Sequence, residues 1–233
     1  MPFKTRTESN ELKLLRILNT RMDLSAEVKK HYLNLEKGYE GEVKFDLLTE
    51  KLQSECFILN DLLLKLNNSN VQIDTTIIFQ QTVNFFEVKN FNGDFTLENG
   101  IFKKIKGKEY QNPVDQVNRG KSFLRPLLKD LGCNLPIEAN AVFINPEFTL
   151  YHASPNLPFI FPSQLNLYMK KLNIRQSSLN HQHKLLAEKL VFLHQTKSPF
   201  SIQPEYEYKN FHKGFTCGTA ERLTYLFHQI KGL

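Results

Sequence analysis

Leu12, Leu14, Leu15, Ile17 and Leu18 make a broad apolar stripe at helical spacing, so residues 9–19 predict an amphipathic helix. A second helix is expected to start at Ser25, with Glu27 in its first turn, and to run through AEVKKHYLNLEKGYEGEVKFDLLTEKLQ. Tyr39, Val43, Leu47 and Leu48 carry its apolar repeat, and Gly38 and Gly41 are its weak points. From residue 56 the period shortens. CFILNDLLLKL (56–66) reads as a strand continuing into a second short segment, and NNSN (67–70) as a turn. VQIDTTIIF (71–79) puts Val71, Ile73, Thr75, Ile77 and Phe79 on one strand face. A tight QQ turn then leads into TVNFFEVKNF (82–91), which predicts an antiparallel hairpin.

Further on, Asn99-Gly100 is the pair that type I′ hairpin turns prefer. Asn112 can cap a helix whose first position suits Pro113, and Pro126 should kink or split that helix. AVFINPE (141–147) predicts a short strand ending at Pro146. The proline-rich HASPNLPFIFP reads as a linker or ordered loop. SQLNLYMKKLN and LNHQHKLLAEKLVFLHQ read as helices, and FTCGTAERLTYLFHQIKGL as a final one.

Composition narrows the classes. With 41% hydrophobic and 12% aromatic residues, the chain can build a core and is not of the disordered type. Lys and Arg outnumber Asp and Glu by 30 to 24, a formal charge of +6, which favours anionic partners such as nucleic acid. A moderately basic soluble protein would carry the same charge. Cys56, Cys133 and Cys217 are odd in number and widely spaced, which argues against a disulfide framework and for the reducing cytoplasm. MPFKTRTESNELKLL has no apolar stretch, so no signal peptide is expected. No apolar run approaches the ~20 residues of a membrane span, so no membrane partner is expected.

The candidate chemistry lies in VNFFEVKN (83–90), where Glu87 and Lys89 interrupt an aromatic, apolar run. Burying charge is costly unless it is paired or binds a metal. In the predicted hairpin Asp74 stands roughly opposite Glu87, and Lys89 shares their face. Two adjacent carboxylates resist ionisation unless a cation such as Mg²⁺ joins them. A neighbouring ammonium would orient a metal-bound water or meet charge on a phosphate, which is the equipment for metal-assisted phosphodiester hydrolysis. A cross-strand salt bridge on a half-exposed sheet is the plainer alternative, and these residues alone leave both open.

A longer pattern reaches further. GYEGEVKFDLLTEKL (38–52), QIDTTIIF (72–79), FFEVKNFNGDF (85–95) and NPVDQVNRGKSFLRPLL (112–128) occur in order. They resemble the nuclease-related domain, NERD, of the PD-(D/E)xK restriction-endonuclease-like superfamily, over roughly residues 37–148. The resemblance implies an α/β fold: a central mixed β-sheet flanked by helices, with helical N- and C-terminal additions. It divides the chain at 1–36, 37–150 and 151–233. It implies that Glu42, Asp74 and Glu87 hold Mg²⁺ or Mn²⁺ together with the Val88 carbonyl, that Lys89 is the catalytic lysine, and that Gln116 supports the phosphate. Glu40 is an alternative to Glu42, which sits in the G-x-x-G-E stretch. Ile73 stands where the family's name has Pro.

DNA is the partner this implies. Lys103, Lys104, Lys106 and Lys108 sit beside a hairpin, and Arg119, Lys121 and Arg125 lie on the helix of Gln116, so all can meet phosphates. His181, His183 and His194 lack the companions of a zinc site and read as exposed helix histidines, and Cys217 near His212 lacks a second cysteine pair to complete four ligands. The activity expected is metal-dependent DNA hydrolysis in DNA processing, repair or defence. The alternative is a non-catalytic nucleic-acid-binding or regulatory module. RNA is a weaker substrate candidate, because no aromatic RNA-recognition motif occurs.

Overall fold

In the computed structural model, residues 1–196, 206–216 and 223–224 are described. They form two compact units. One joins Met1–Thr7 to residues 38–196, and the other contains Glu8–Lys37.

The Glu8–Lys37 unit holds α1 (Asn10–Arg21), capped by the Ser9 hydroxyl, which accepts from the Leu12 N–H at 3.1 Å. Leu12, Leu15 and Leu18 form its buried stripe. Arg16 pairs with Glu8 and Glu36, and His31 Nε2 lies 2.7 Å from Glu11. α2 (Ala26–Thr49) contributes to both units, and neither Gly38 nor Gly41 interrupts it.

The larger unit is built on a five-stranded sheet in the order β1-β2-β3-β7-β9. The strands are Phe57–Leu66, Ser69–Ile78, Val83–Lys89, Ile137–Phe143 and Phe159–Ile160. β1, β2 and β3 form an antiparallel meander, while β7 runs parallel to β3 and β9 parallel to β7. The β3 to β7 crossover carries α3 (Pro113–Asp130). It also carries most of a second mixed sheet, β6-β5-β4-β8, formed by Glu109–Tyr110, Ile101–Lys104, Gly93–Glu98 and Phe148–Tyr151. Asn99 and Gly100 join β4 to β5 with φ of 51° and 79°, as a type I′ turn requires.

Strand alternation sends apolar residues to two cores. Phe86, Val88, Ile77 and Val142 pack with Phe45 of α2 and with Leu165, Met169 and Leu172 of α4 (Leu165–Asn173). Val83, Phe85, Ala141 and Phe143 join Val117, Leu124 and Leu128 of α3, and Leu186 and Leu190 of α5 (His181–Phe192). A chain of rings links the sheets: Phe143 stacks on Phe148 at 4.1 Å, and Phe95 on Phe102 at 5.0 Å. Much of the chain's phenylalanine content is used there.

Several sequence expectations need correction. α3 continues through Pro126 without splitting; Leu124, Leu127 and Leu128 anchor it on the core while Pro126 is exposed. β1 is one strand, although Asp61 adopts φ 55° in its middle. The proline-rich 152–162 segment is ordered and contains β9. Of the expected final helix, the described parts are two short strands, Phe215–Thr216 and Leu223–Thr224; the rest, with Cys217, lies outside the described residues. His183 is buried: its Nδ1 accepts from the Asn180 N–H and its Nε2 lies 3.0 Å from the Gln80 carbonyl oxygen. His194 Nδ1 accepts from the Leu63 N–H at 3.0 Å. These two histidines hold α5 and its end against the sheet rather than standing free.

Candidate active site

β2 and β3 part company just beyond the Thr75–Phe86 pair, so Asp74 and Glu87 occupy the next positions on each strand. Asp74 is 8% exposed. Its Oδ2 accepts from the Val88 N–H at 2.7 Å, replacing the ladder bond that the strands no longer make there. On β3, Glu87 and Lys89 alternate with Phe86 and Val88, which are committed to the α2–α4 core. The charged pair stays out of that core, and Lys89 Nζ reaches Glu87 Oε1 at 2.7 Å.

α2 supplies the next carboxylates. A Cβ on Gly41 would stand 2.6 Å from Asn90 Cβ, so only glycine lets the helix approach the end of β3 this closely. One residue on is Glu42, with Asp46 a helical turn later. Between them lies Arg6, a residue that no motif in the sequence marks. Its Nη1 donates to Glu42 Oε2 at 2.7 Å, and its Nε and Nη2 donate to the two Asp46 oxygens at 2.8 and 3.0 Å. Nη2 also donates to the Asp74 carbonyl oxygen at 2.7 Å.

The electrostatics follow from this crowding. Burial, then Glu87 and Glu42, hold the Asp74 carboxyl well above the usual range, against the pull of Lys89 and the Val88 N–H. Burial pushes Glu42 up to about 7; Arg6 opposes this, while Asp61, Asp46 and Glu87 add to it. Asp46 is raised by burial in spite of its bonds to Arg6. Burial alone would lower the Arg6 guanidinium, but Asp46 and its other acidic neighbours raise it above its ordinary value.

The residues singled out by sequence are thus unevenly gathered. Glu42, Asp74, Glu87 and Lys89 share one neighbourhood. Gln116 bonds to Gln111 at 3.2 Å. Lys103 and Lys104 lie on β5, partly buried, and Lys106 and Lys108 are exposed in the turn after it. Arg119 is exposed on α3. Lys121 borders a groove of about 410 Å³ with Arg125, Lys129 and Ile137. Ile137 pairs with Val83, at the opposite end of the β3–β7 pair from Lys89, which pairs with Phe143.

Carboxylates in such a set are suitable donors for a hard divalent cation, and a neighbourhood that resists ionisation gains from one. In donor chemistry the site fits. Among the described residues, no three Asp, Glu, His or Cys side chains form a group that could hold an ion as arranged; Arg6 bonds Glu42 and Lys89 bonds Glu87.

Residues 37–144 match the family model for the nuclease-related domain. Over this segment the chain is similar to the NERD family. The segment contains α2 from Lys37 onward, β1 to β7 and α3, and hence every member of the acidic cluster. Arg6 lies outside the NERD segment, which is why the family pattern held no sign of it. No curated protein and no solved structure matches the chain.

Proposed function

We propose that this protein is a divalent-cation-dependent nuclease that hydrolyses DNA phosphodiester bonds in DNA processing, repair or defence, with Mg²⁺ or Mn²⁺ as cofactor. One observation carries the reading: buried Asp74 lies within electrostatic reach of both Glu87 and Glu42, beside an ammonium bonded to Glu87. Glu42, Asp74 and Glu87 would hold the ion, with the Val88 carbonyl as a further donor. When bound, the ion would act as a Lewis acid on the phosphate and make water a better nucleophile. Lys89 would orient the attacking water and meet the charge that grows on the phosphate. Gln116 would position the phosphate. Lys103, Lys104, Lys106, Lys108, Arg119 and Lys121 would hold the DNA backbone without reading its sequence. On this reading the protein works in the cytoplasm, with residues 37–150 as its nuclease-like domain.

Lys89→Ala should abolish cleavage and retain DNA binding. A gel assay on linear, circular and single-stranded DNA with Mg²⁺, Mn²⁺ or EDTA checks this; unchanged cleavage by the variant would remove Lys89 from the chemistry. A second reading is a non-catalytic nucleic-acid-binding module. The pairing of Glu42 and Glu87 with cations of the chain itself favours it, and retarded but uncut DNA in the same assay would support it.

A further inference from the structure

Arg6 reaches the acidic cluster on a short N-terminal arm laid beside β1. The Phe3 and Lys4 N–H groups donate to the Ile58 carbonyl at 2.8 and 3.1 Å, and the Asn60 N–H donates to the Lys4 carbonyl at 3.0 Å. The Phe3 ring meets Phe57 edge-on at 5.1 Å. Lys4 Nζ donates to the Asn60 and Asp61 carbonyls at 2.7 and 2.8 Å. The arm is therefore fixed along its length before it delivers Arg6.

The Arg6 side chain is only 4% exposed. A guanidinium buried to this degree is costly unless its donors are met, and here they are met by acids of α2 and by a carbonyl of β2. Asp46 takes two parallel bonds from the fork, which fixes its plane. The plane fixes where Nη1 points, and Nη1 meets Glu42 Oε2. Glu42 is thus held through one oxygen.

We propose that Arg6 is a positioning residue for the divalent-cation site, a role that rests on the metal-dependent reading above. Held by Asp46, it fixes the Glu42 carboxylate through Oε2. It also braces β2 through the Asp74 carbonyl. Partners of this outer kind are typically worth about 10–100-fold in metal affinity.

Mn²⁺ titrated calorimetrically into the full chain tests this, with circular dichroism confirming that each variant is folded. Arg6→Gln should weaken Mn²⁺ binding about 10-fold or more. Arg6→Lys should recover only part of the loss, because an ammonium keeps the charge but not the fork. Asp46→Asn, which leaves Arg6 in place but loosens its grip, should weaken binding by a smaller factor. It carries the test alone if Arg6→Gln does not fold. A purely structural Arg6 would alter stability without altering affinity. Unchanged Mn²⁺ affinity in the folded variants overturns the proposal. So does tighter binding, which would mean that Arg6 competes with the ion. Asp74→Asn separates the positioning role from the metal site itself. If wild type binds Mn²⁺, Asp74→Asn does not, and the Arg6 and Asp46 variants match wild type, only the positioning role falls. If wild type and Asp74→Asn bind alike, or neither binds, the metal-site reading falls with it.

Discussion

Glu42 carries the cost of the site. Its folded pKa, about 7, lies above the ordinary glutamate value of 4.5, so the folded protein holds this proton more tightly than the unfolded chain does. The stability linked to it is fully present below the unfolded value and is lost as pH rises through 7. Asp74 is shifted in the same direction, by burial first and then by Glu87 and Glu42. Glu42→Gln removes the charge at every pH. In metal-free buffer its stability relative to wild type should improve by on the order of 1–3 kcal/mol between about pH 5 and about pH 8, read from urea midpoints. Parallel pH profiles for the two proteins would contradict the assigned shift. At this scale the sequence exposed Glu87 and Lys89, because charge inside an aromatic strand is conspicuous. It did not expose Arg6, since an arginine near the N-terminus looks like any surface cation until the chain folds back onto α2.

Two glycines of α2 look alike in sequence and differ in the folded element. Gly38 has nothing within 4 Å of the place a Cβ would take, whereas on Gly41 that atom would collide with Asn90. Gly38→Ala should therefore stabilise the helix by about 0.5–1 kcal/mol through propensity alone. Gly41→Ala should cost about 1–3 kcal/mol and push α2, with Glu42, away from the end of β3. Urea denaturation of the two variants checks the opposite signs. Gly120 of α3 repeats the device, since a Cβ there would lie 2.8 Å from the Phe85 ring. Where local chemistry is strong, the element was legible: Asn112 caps α3 by accepting from the Val114 N–H at 2.9 Å, with Pro113 in its first turn. Where local chemistry met the core, the core won. Pro126 lacks an N–H but sits among leucines that keep α3 continuous, and packing outweighs one lost bond.

Over the whole molecule the charge is +6, and Lys106 and Lys108 stand exposed in the turn between β5 and β6. If this hairpin grips DNA, replacing both with Ala should make the slope of log affinity against log salt shallower by about 1 for each phosphate no longer neutralised. Fluorescence anisotropy across a salt series measures the slope, and an unchanged slope would place the hairpin outside the interface. From its periodicities the sequence determined a succession of helices and strands, the β2–β3 hairpin and the capped α3, because turn residues, caps and alternation act over a few neighbours. Its ordered motifs determined the NERD segment. Only the tertiary structure decided that residues 152–192 add a strand and two helices to the same compact unit, that a second sheet is joined through stacked phenylalanines, and that Arg6 lies among the acids of α2. Those features join residues far apart in the chain, and burial rewards them only after the chain has closed, so no local pattern records them.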